Sequence, residues 1–598
     1  MAGFAEQLQY LRLRPGDANG FVQLFFDNLG TVLALIAGLK LVLTGFFSSG
    51  LMNEVDNGAF PGTVAPAVFD TINDVIFGRA LPGLGVTMVF GNIYYSWMGV
   101  RLAAKEGRDD VTALPYGVNT PAAFAFVFSI IGPVVGDVGC DFQFDLPLVN
   151  QSDADAFAAC WKGAIEKGWQ VGVVSNLLVG IISVLLGLFG DFVIRFTPTA
   201  TLLTSLAGIG IAFLGLSQAT LIFANPVVGI LPLYLVVIGY FADINFAGPV
   251  PISLAIILVS IILGAADDVV NKDALSAAAE DVAAYGLSFA GDALGDWSEV
   301  SIYIGTIFPV ALAAAAGTLM NVISAKKAGD SYPLKETMIS DGFGTMIGAF
   351  FGTPFGTSVY IGHPAYKRFG AGIGYSLINC VVFFFFAIFG IFAVAAALVP
   401  PQGTAPLLIY VGFMICKEAL EEMPNRQYPT FIIGILPALS DFASTLIGTG
   451  IPNIGLQALA KSSILLALVQ STIWWYIIER HLAQATAWTL AAAILAGLGV
   501  IHQPAASGEN FNKQQVLIQD FSDPANSLFQ TEQWRFMVGY LLVIVPLAIL
   551  AALQKYTDKV DPPREPYVPT YEKDENVVVS HAGIDASDAD IALKEASL

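Results

Sequence analysis

Apolar stretches of roughly 20 residues recur along the chain from residue 20 to residue 554, separated by polar connections. About 20 residues is the length with which an α-helix crosses a hydrocarbon core of ~30 Å. The pattern therefore predicts an all-α multi-pass membrane protein. We place the spans at residues 20–47, 83–104, 113–139, 169–190, 198–216, 224–242, 249–265, 301–324, 338–353, 355–374, 375–399, 404–420, 429–449, 459–478, 482–501 and 534–554.

These spans fall into two sets of seven and a terminal pair. The predicted organisation is an N-terminal segment at residues 1–19, a first seven-span repeat at 20–265, an acidic outer loop at 266–300, a second repeat at 301–478, an additional helical pair at 479–554 and a disordered tail at 555–598.

Composition supports the membrane assignment and narrows the function. Hydrophobic residues make up 55% of the chain and charged residues 13%, whereas soluble domains carry about 25% charged residues. The net charge of −21 gathers in loops and in the tail, so we expect no nucleic-acid partner. Histidines and cysteines show no metal-ligand spacing, and no phosphate loop or nucleophile elbow is present. We expect neither an enzyme nor a cofactor or metal site, but a transporter driven by a gradient of H⁺ or Na⁺.

The distribution of Lys and Arg predicts the orientation, because short cytoplasmic loops are enriched in both. It places both termini in the cytoplasm, and we expect the protein in the plasma membrane. The outer segment 140–168 then holds Cys140, Cys160 and an N-glycosylation sequon at Asn150. In an oxidising compartment the two cysteines would pair and Asn150 would be glycosylated; chance occurrence is the alternative.

Two spans are interrupted at corresponding places, by "PYGVNTP" at 115–121 and "TSVYIGHP" at 357–364. Irregular backbone survives at membrane depth only where protein surrounds it or a water-filled cavity meets it. Either Asn119 or Thr120 can cap a helix after the first break, and residues 357–361 have the character of a short strand. Paired breaks in two halves are typical of inverted-repeat carriers that bind a solute at mid-membrane. Two structural Pro-kinked helices are the alternative.

The segments "FPVALAAAAGTLMNVISAKKAG" (308–329) and "SDGFGTMIGAFFGTPFGTSVYIGHP" (340–364) resemble the xanthine/uracil permease superfamily of nucleobase-cation symporters. The likeness covers roughly residues 20–478. It implies two inverted seven-helix repeats with short strands breaking spans 3 and 10. It also implies a core part (spans 1–4 and 8–11) and a gate part (spans 5–7 and 12–14) that move against each other in alternating access. A homodimer through the gate part would follow the same resemblance.

The expected function is a permease for a small polar solute, with a nucleobase such as xanthine or uracil as the first expectation. Members of the superfamily place glutamates in spans 8 and 10, but motif alignment puts Gly317 and Gly362 there. Glycine can neither accept an N–H from a base nor take up a proton. Without the glutamates, the expected site is lined by two helix N-termini, which suit an anion. A carrier for an anion such as bicarbonate or sulfate is therefore the alternative, and a channel is a less favoured one. The expected substrate-binding residues are Asn119, Thr120, Gly317, Thr318, Asn321, Ser358, Tyr360, Gly362 and His363.

Three ionisable residues at membrane depth need separate interpretation. His363 is expected to face Thr120 as a solute ligand or proton switch, because histidine changes charge near physiological pH; a helix cap is the alternative. Asp27, beside Asn28 in the first span, is the candidate for coupling to a cation or proton, with a bracing role as the alternative. Asp341 is expected to be structural, at the start of span 9.

Overall fold

The computed structural model places the chain in a helical bundle with one small sheet at its centre. It describes residues 8–48, 64–137, 140, 151–242, 244, 250, 252–270, 272–280, 282, 285–295, 297, 300–360, 362–447, 454–460, 462–502 and 533–565.

The first half contains twelve described helices and one strand. They are α1 (Pro15–Ser48), α2 (Val64–Asn73), α3 (Leu81–Glu106), β1 (Tyr116–Val118), α4 (Thr120–Phe126), α5 (Gly132–Asp137), α6 (Gln151–Phe196), α7 (Thr199–Ile209), α8 (Ser217–Ala224), α9 (Pro226–Val236), α10 (Ile252–Ala266), α11 (Lys272–Glu280) and α12 (Gly291–Leu294). Short π-helical turns join α2 to α3, α4 to α5 and α7 to α8, and another, Val237–Phe241, ends α9.

The second half repeats this plan, and a terminal pair follows it. Its described elements are α13 (Ile304–Lys327), α14 (Leu334–Phe350), β2 (Thr357–Val359), α15 (His363–Arg368), α16 (Gly374–Ile388), α17 (Ile391–Leu398), α18 (Pro401–Glu421), α19 (Tyr428–Ile447), α20 (Ile454–Ala460), α21 (Ser463–Ile478), α22 (Leu482–Gly497) and α23 (Gln533–Tyr556).

The multi-pass helical fold class is confirmed. Seven of the described helical stretches are long and apolar enough to cross a bilayer, and the pair α16–α17, bent by 83°, would add an eighth. Five shorter apolar helices of 10–17 residues, α4–α5 among them, match further predicted spans. The strands interrupt spans 3 and 10, as expected.

Two segments predicted as outer connections are helical over the parts that the structure describes. Part of residues 48–82 forms α2, which continues through a π-helical turn into α3, so that one helical stretch runs from Val68 to Glu106. Part of residues 140–168 belongs to α6, which begins at Gln151. The hydropathy pattern did not reveal these helical extensions because they contain polar residues. Hydropathy marks the part of a helix that lies in lipid, and not the residue at which the helix ends. Asn150 and the tail beyond residue 565 lie outside the described residues.

The two halves are related as inverted repeats through their strands. β1 and β2 occupy the same place in each half, and they pair antiparallel, with Tyr116 opposite Val359 and Val118 opposite Thr357. Corresponding strands that run in opposite directions require halves of opposite orientation. Glycines allow the surrounding helices to close in: a Cβ at Gly342 of α14 would lie 2.7 Å from the carbonyl oxygen of Gly180 in α6.

Candidate functional site

The strand pair is held in place by α1. The Asn28 side chain accepts a hydrogen bond from the backbone N–H of Val118 (3.1 Å) and donates one to the carbonyl of Leu24 (2.9 Å). A side chain at Gly117 would collide with Asn28, since its Cβ would lie 2.5 Å from the amide oxygen. The strand therefore needs glycine at this position. Asn28, grouped with Asp27 on the sequence, is a brace for β1.

Helices start directly after both strands. Asn119 caps α4 by accepting a hydrogen bond from Ala122 N–H (3.2 Å), so Asn119 and not Thr120 is the cap. The Thr120 hydroxyl instead lies 3.4 Å from that of Thr31 in α1, and Tyr360 lies beside both. Gly362 precedes α15 with a φ of +99°, a backbone conformation that favours glycine. Three hydroxyl groups thus gather at the end of the strand pair.

A cavity of about 820 Å³ lies between the core part and the gate part. The core contributes α1, α13, Tyr360 and α15, and the gate contributes the turn after α9, α10 and α18. Of the predicted site residues, Asn321, Tyr360 and Gly362 line it, as does the coupling candidate Asp27. The cavity extends to the helix ends that carry Lys327, Arg368, Glu421 and Glu422. These ends lie on the face predicted to be cytoplasmic.

Asp27 faces this cavity from α1. Its carboxylate accepts hydrogen bonds from the Gln23 amide (2.6 Å) and, across the boundary between core and gate, from the Tyr240 hydroxyl (3.5 Å). No cationic side chain pairs with Asp27 in the part of the chain that the structure describes. The Tyr240 ring stacks on that of Tyr410 in α18, with centroids 4.4 Å apart. A lone carboxylate thus joins core to gate by a weak hydrogen bond.

The two glycines at the expected glutamate positions leave their sides open. A Cβ on Gly317 would meet no atom within 4 Å, and one on Gly362 would meet the Tyr366 ring at 3.5 Å. No carboxylate from a neighbouring element takes the place of either glutamate among these contacts. The cavity nevertheless holds acidic side chains that the sequence did not reveal as site residues, Glu418 of α18 among them. In the sequence Glu418 belongs to a charged helix end, "CKEALEE", which gave no sign of a cavity.

A second, much smaller cavity of about 20 Å³ lies inside the core part. Three further predicted residues line it, Asn119, Thr318 and Ser358, together with Asp341 and Asn176. The Thr318 hydroxyl donates to the Asp341 carboxylate (2.7 Å). Of the nine expected substrate-binding residues, three thus line the large cavity, three line the small one, and Thr120, Gly317 and His363 line neither. Asn176, missed by sequence reasoning, had one signal, an amide in the middle of an apolar span.

His363 lies elsewhere. Its Nε2 atom is 3.0 Å from the carboxylate of Asp330, which also pairs with Lys367 (2.6 Å) and Arg108 (2.7 Å). Burial alone would raise the pKa of Asp330, but hydrogen bonds from His363, Lys367, Thr112 and Arg108 hold it at about 2. His363 lines neither cavity and does not face Thr120, so this geometry gives no support to direct contact with a solute. Its position favours a structural role, anchoring α15 to the connection between α13 and α14.

On the predicted outer side, Cys140 and Cys160 form a disulfide that ties the segment after α5 to α6. Among the described residues, no group of three or more His, Cys, Asp or Glu side chains could hold a metal ion.

Comparison with known proteins reveals a likeness of fold. No protein-family model matches the chain, and no curated protein matches its sequence. Among solved structures it is similar to the transmembrane domain of a cyanobacterium bicarbonate transporter, BicA, with a TM-score of 0.42 and 14% identity over 71% of this chain and 97% of that one. It is also similar to the murine Solute Carrier 26 family member A9 anion transporter in the inward-facing state, with a TM-score of 0.34 and 15% identity over 68% of this chain and 69% of that one. These scores are too low to carry a function over to this chain. Membership of the xanthine/uracil permease superfamily stays a prediction.

Proposed function

We propose that the chain is a secondary active transporter that moves a small polar solute by alternating access. The large cavity carries this proposal. Among the described residues of α1, none beyond Thr31 lines it, and in α13 none before Met320 does. The cavity is therefore open towards one face and ends at the strand pair. A channel would need a pathway that continues past the strands, whereas a carrier needs a dead end between two movable parts.

A small anion of the bicarbonate or sulfate type is the solute that we favour. The two positions at which a base-binding carboxylate was expected are Gly317 and Gly362, and both are without a side chain. The closed end of the cavity presents the hydroxyls of Tyr360 and Thr31, which can donate to an anion, and Thr120 lies beside both. Asp27 would repel an anion in the same cavity unless a proton or a cation neutralises it. Asp27 is thus the residue proposed to couple uptake to H⁺ or Na⁺.

A nucleobase is the second candidate, because one observation favours it. The stacked rings of Tyr240 and Tyr410 present an aromatic surface inside the cavity, and Asp27 lies next to them. Aromatic faces bind planar rings, and a carboxylate accepts N–H groups of a uracil or purine.

Uptake into proteoliposomes distinguishes the two solutes. We expect saturable uptake of labelled sulfate or of bicarbonate, with exchange between the two sides, and no uptake of labelled uracil or xanthine. Uptake of uracil or xanthine without anion flux would favour a nucleobase as the solute over an anion. Current that rises linearly with concentration and shows no exchange would refute the carrier.

Variants at the cavity test the residues. Loss of a hydrogen bond to an ionic ligand costs about 1.5–3 kcal/mol, so Tyr360→Phe is expected to weaken the apparent affinity roughly 10- to 100-fold. Asp27→Asn is expected to keep solute exchange while uptake no longer responds to the ion gradient. Thr489→Val is the control, since this buried hydroxyl of α22 donates to the Ala485 carbonyl of its own helix and lines neither cavity. Unchanged transport in both cavity variants would contradict this site.

The cytoplasmic termini, the plasma membrane and a homodimer through the gate part remain predictions of the sequence.

A further inference from the structure

We propose that the small cavity inside the core part is a binding site for one monovalent cation, with Na⁺ as the ion that fits it. The inference rests on the proposed transport function only for what the ion would do; binding itself can be measured without transport.

The cavity contains a carboxylate that lacks a counter-charge. Asp341 is 4% exposed, and no cationic side chain pairs with it among the described residues. Its oxygens accept hydrogen bonds from the Tyr95 hydroxyl (2.5 Å), the Thr318 hydroxyl (2.7 Å) and the Val359 N–H (3.3 Å). All three donors are neutral, so none of them supplies a positive charge to the carboxyl group. A buried charge of this kind normally has a partner of opposite sign.

A second oxygen at the cavity is unsatisfied. Asn176 is fully buried and donates its amide N–H to the Thr353 carbonyl (3.0 Å), but its side-chain oxygen has no hydrogen-bond partner among the described residues. This oxygen and the Thr345 hydroxyl both lie close to Gly356, at 3.3 Å and 3.6 Å from where a Cβ would stand. Gly356 thus leaves room between oxygens of α6 and α14. Buried amide oxygens are rarely left without a partner, so an occupant that accepts their lone pair is expected.

The size and charge of the cavity select the ion. A volume of about 20 Å³ holds one water-sized occupant. Its polar side chains are one carboxylate, that of Asp341, and the neutral oxygen-bearing side chains of Asn119, Asn176, Ser183, Thr318, Thr345, Thr357 and Ser358. Oxygen ligands suit hard cations, and a single negative charge balances a single positive one. Mg²⁺ keeps several of its waters, for which this cavity has no space.

The site is joined to the large cavity through one residue of β2. The Val359 N–H donates to Asp341 beside the small cavity, while its carbonyl accepts from the Asn321 amide (2.9 Å), and Asn321 lines the large one. An ion that draws Asp341 towards itself would alter the hydrogen bond that positions β2, and with it the closed end of the solute cavity. Occupation of the core site would thereby change affinity for solute.

Thermal unfolding of the purified full-length protein tests the site. We expect the midpoint temperature to rise with NaCl along a saturating curve, relative to N-methylglucamine chloride at equal ionic strength, since a ligand that binds only the folded state stabilises it. Asn176→Ala and Asp341→Asn should each raise the Na⁺ concentration for half-maximal stabilisation at least about tenfold. Ser175→Ala is the matched control, because Ser175 is next to Asn176 in the chain and lines neither cavity, and its buried hydroxyl has no partner in the part of the chain that the structure describes.

Equilibrium binding of ²²Na⁺ gives the second readout, with one ion per chain expected and competition by Li⁺ but not by N-methylglucamine. If a variant fails to fold, binding to the other variant and to the control still decides the question. Absence of ²²Na⁺ binding and of Na⁺-dependent stabilisation in the wild-type protein overturns the proposal. So does stabilisation by low pH alone, which would mean that a proton neutralises Asp341. Ion binding without any solute uptake would refute the transport function and leave the cation site standing.

Discussion

The buried carboxylate of Asp330 allows a quantitative prediction. Its side chain is fully buried and pairs with His363, Lys367 and Arg108. The difference between its ordinary pKa of 3.8 and the value of about 2 in the folded protein is worth about 2 kcal/mol at ~1.36 kcal/mol per pKa unit. Asp330→Asn removes this contribution and takes from Lys367 and Arg108 the buried carboxylate that both contact, while their pairs with Asp110 and Glu106 stay in place. We therefore expect it to destabilise the protein at pH 7 by at least about 2 kcal/mol.

The pH dependence has a definite sign. A carboxylate whose pKa is lowered by folding stabilises the protein fully above its unfolded pKa, and loses that effect as pH falls through the folded pKa. The gap between wild type and Asp330→Asn should be complete above about pH 5, narrow to roughly half at pH 3 and close near pH 2.

Thermal unfolding of the two proteins in detergent, followed by tryptophan fluorescence across this pH range, measures the gap. Asp268→Asn is the control: Asp268 pairs with Lys272 at 3.8 Å with both side chains more than four-fifths exposed, and such pairs contribute less than about 1 kcal/mol. Equal midpoints for Asp330→Asn and wild type at pH 7 would refute the reasoning, as would a gap that is independent of pH.

Two further substitutions test the packing of the core part. Gly342→Ala is expected to lower the midpoint of thermal unfolding by several degrees, because its Cβ would lie 2.7 Å from the Gly180 carbonyl oxygen. Gly317→Ala is the control and should unfold like the wild type, because a Cβ there would meet no atom within 4 Å. Equal midpoints for the two variants would contradict the close approach of α6 and α14. Asn119→Ala is expected to lower the free energy of unfolding by about 1 kcal/mol, because the hydrogen bond that caps Ala122 N–H is lost. Asn119→Asp should restore most of this stability in the same assay. A midpoint unchanged by Asn119→Ala would show that the cap contributes nothing.

The membrane spans and the two breaks could be predicted from the sequence because their causes are local. A hydrophobic stretch of bilayer length needs no partner to be recognised. Pro121 and Pro364 stand in the first turns of the helices that follow the breaks, where a missing N–H costs nothing. β-Branched and aromatic residues before Pro364 favoured a strand, an extended segment was expected before Pro121, and β2 and β1 lie there.

The grouping of the polar residues could not be predicted in the same way. Thr318 and Asn321 are three residues apart on α13, yet the first bonds to Asp341 and the second to Val359. Which cavity each side chain faces depends on the rotation of α13 against α14 and β2. Sequence spacing alone does not determine that rotation.

His363 illustrates the difference between what the sequence determines and what the tertiary structure determines. The sequence established that an ionisable residue precedes Pro364 after a strand, and membrane depth made a functional role plausible. Only the tertiary structure brought Asp330, 33 positions earlier in the chain, to 3.0 Å from its ring. Local sequence determined where helices start, stop and break, because backbone hydrogen bonding and hydropathy act over a few residues. The tertiary structure decided which charges meet and which oxygens remain unsatisfied, because these depend on contacts between distant segments.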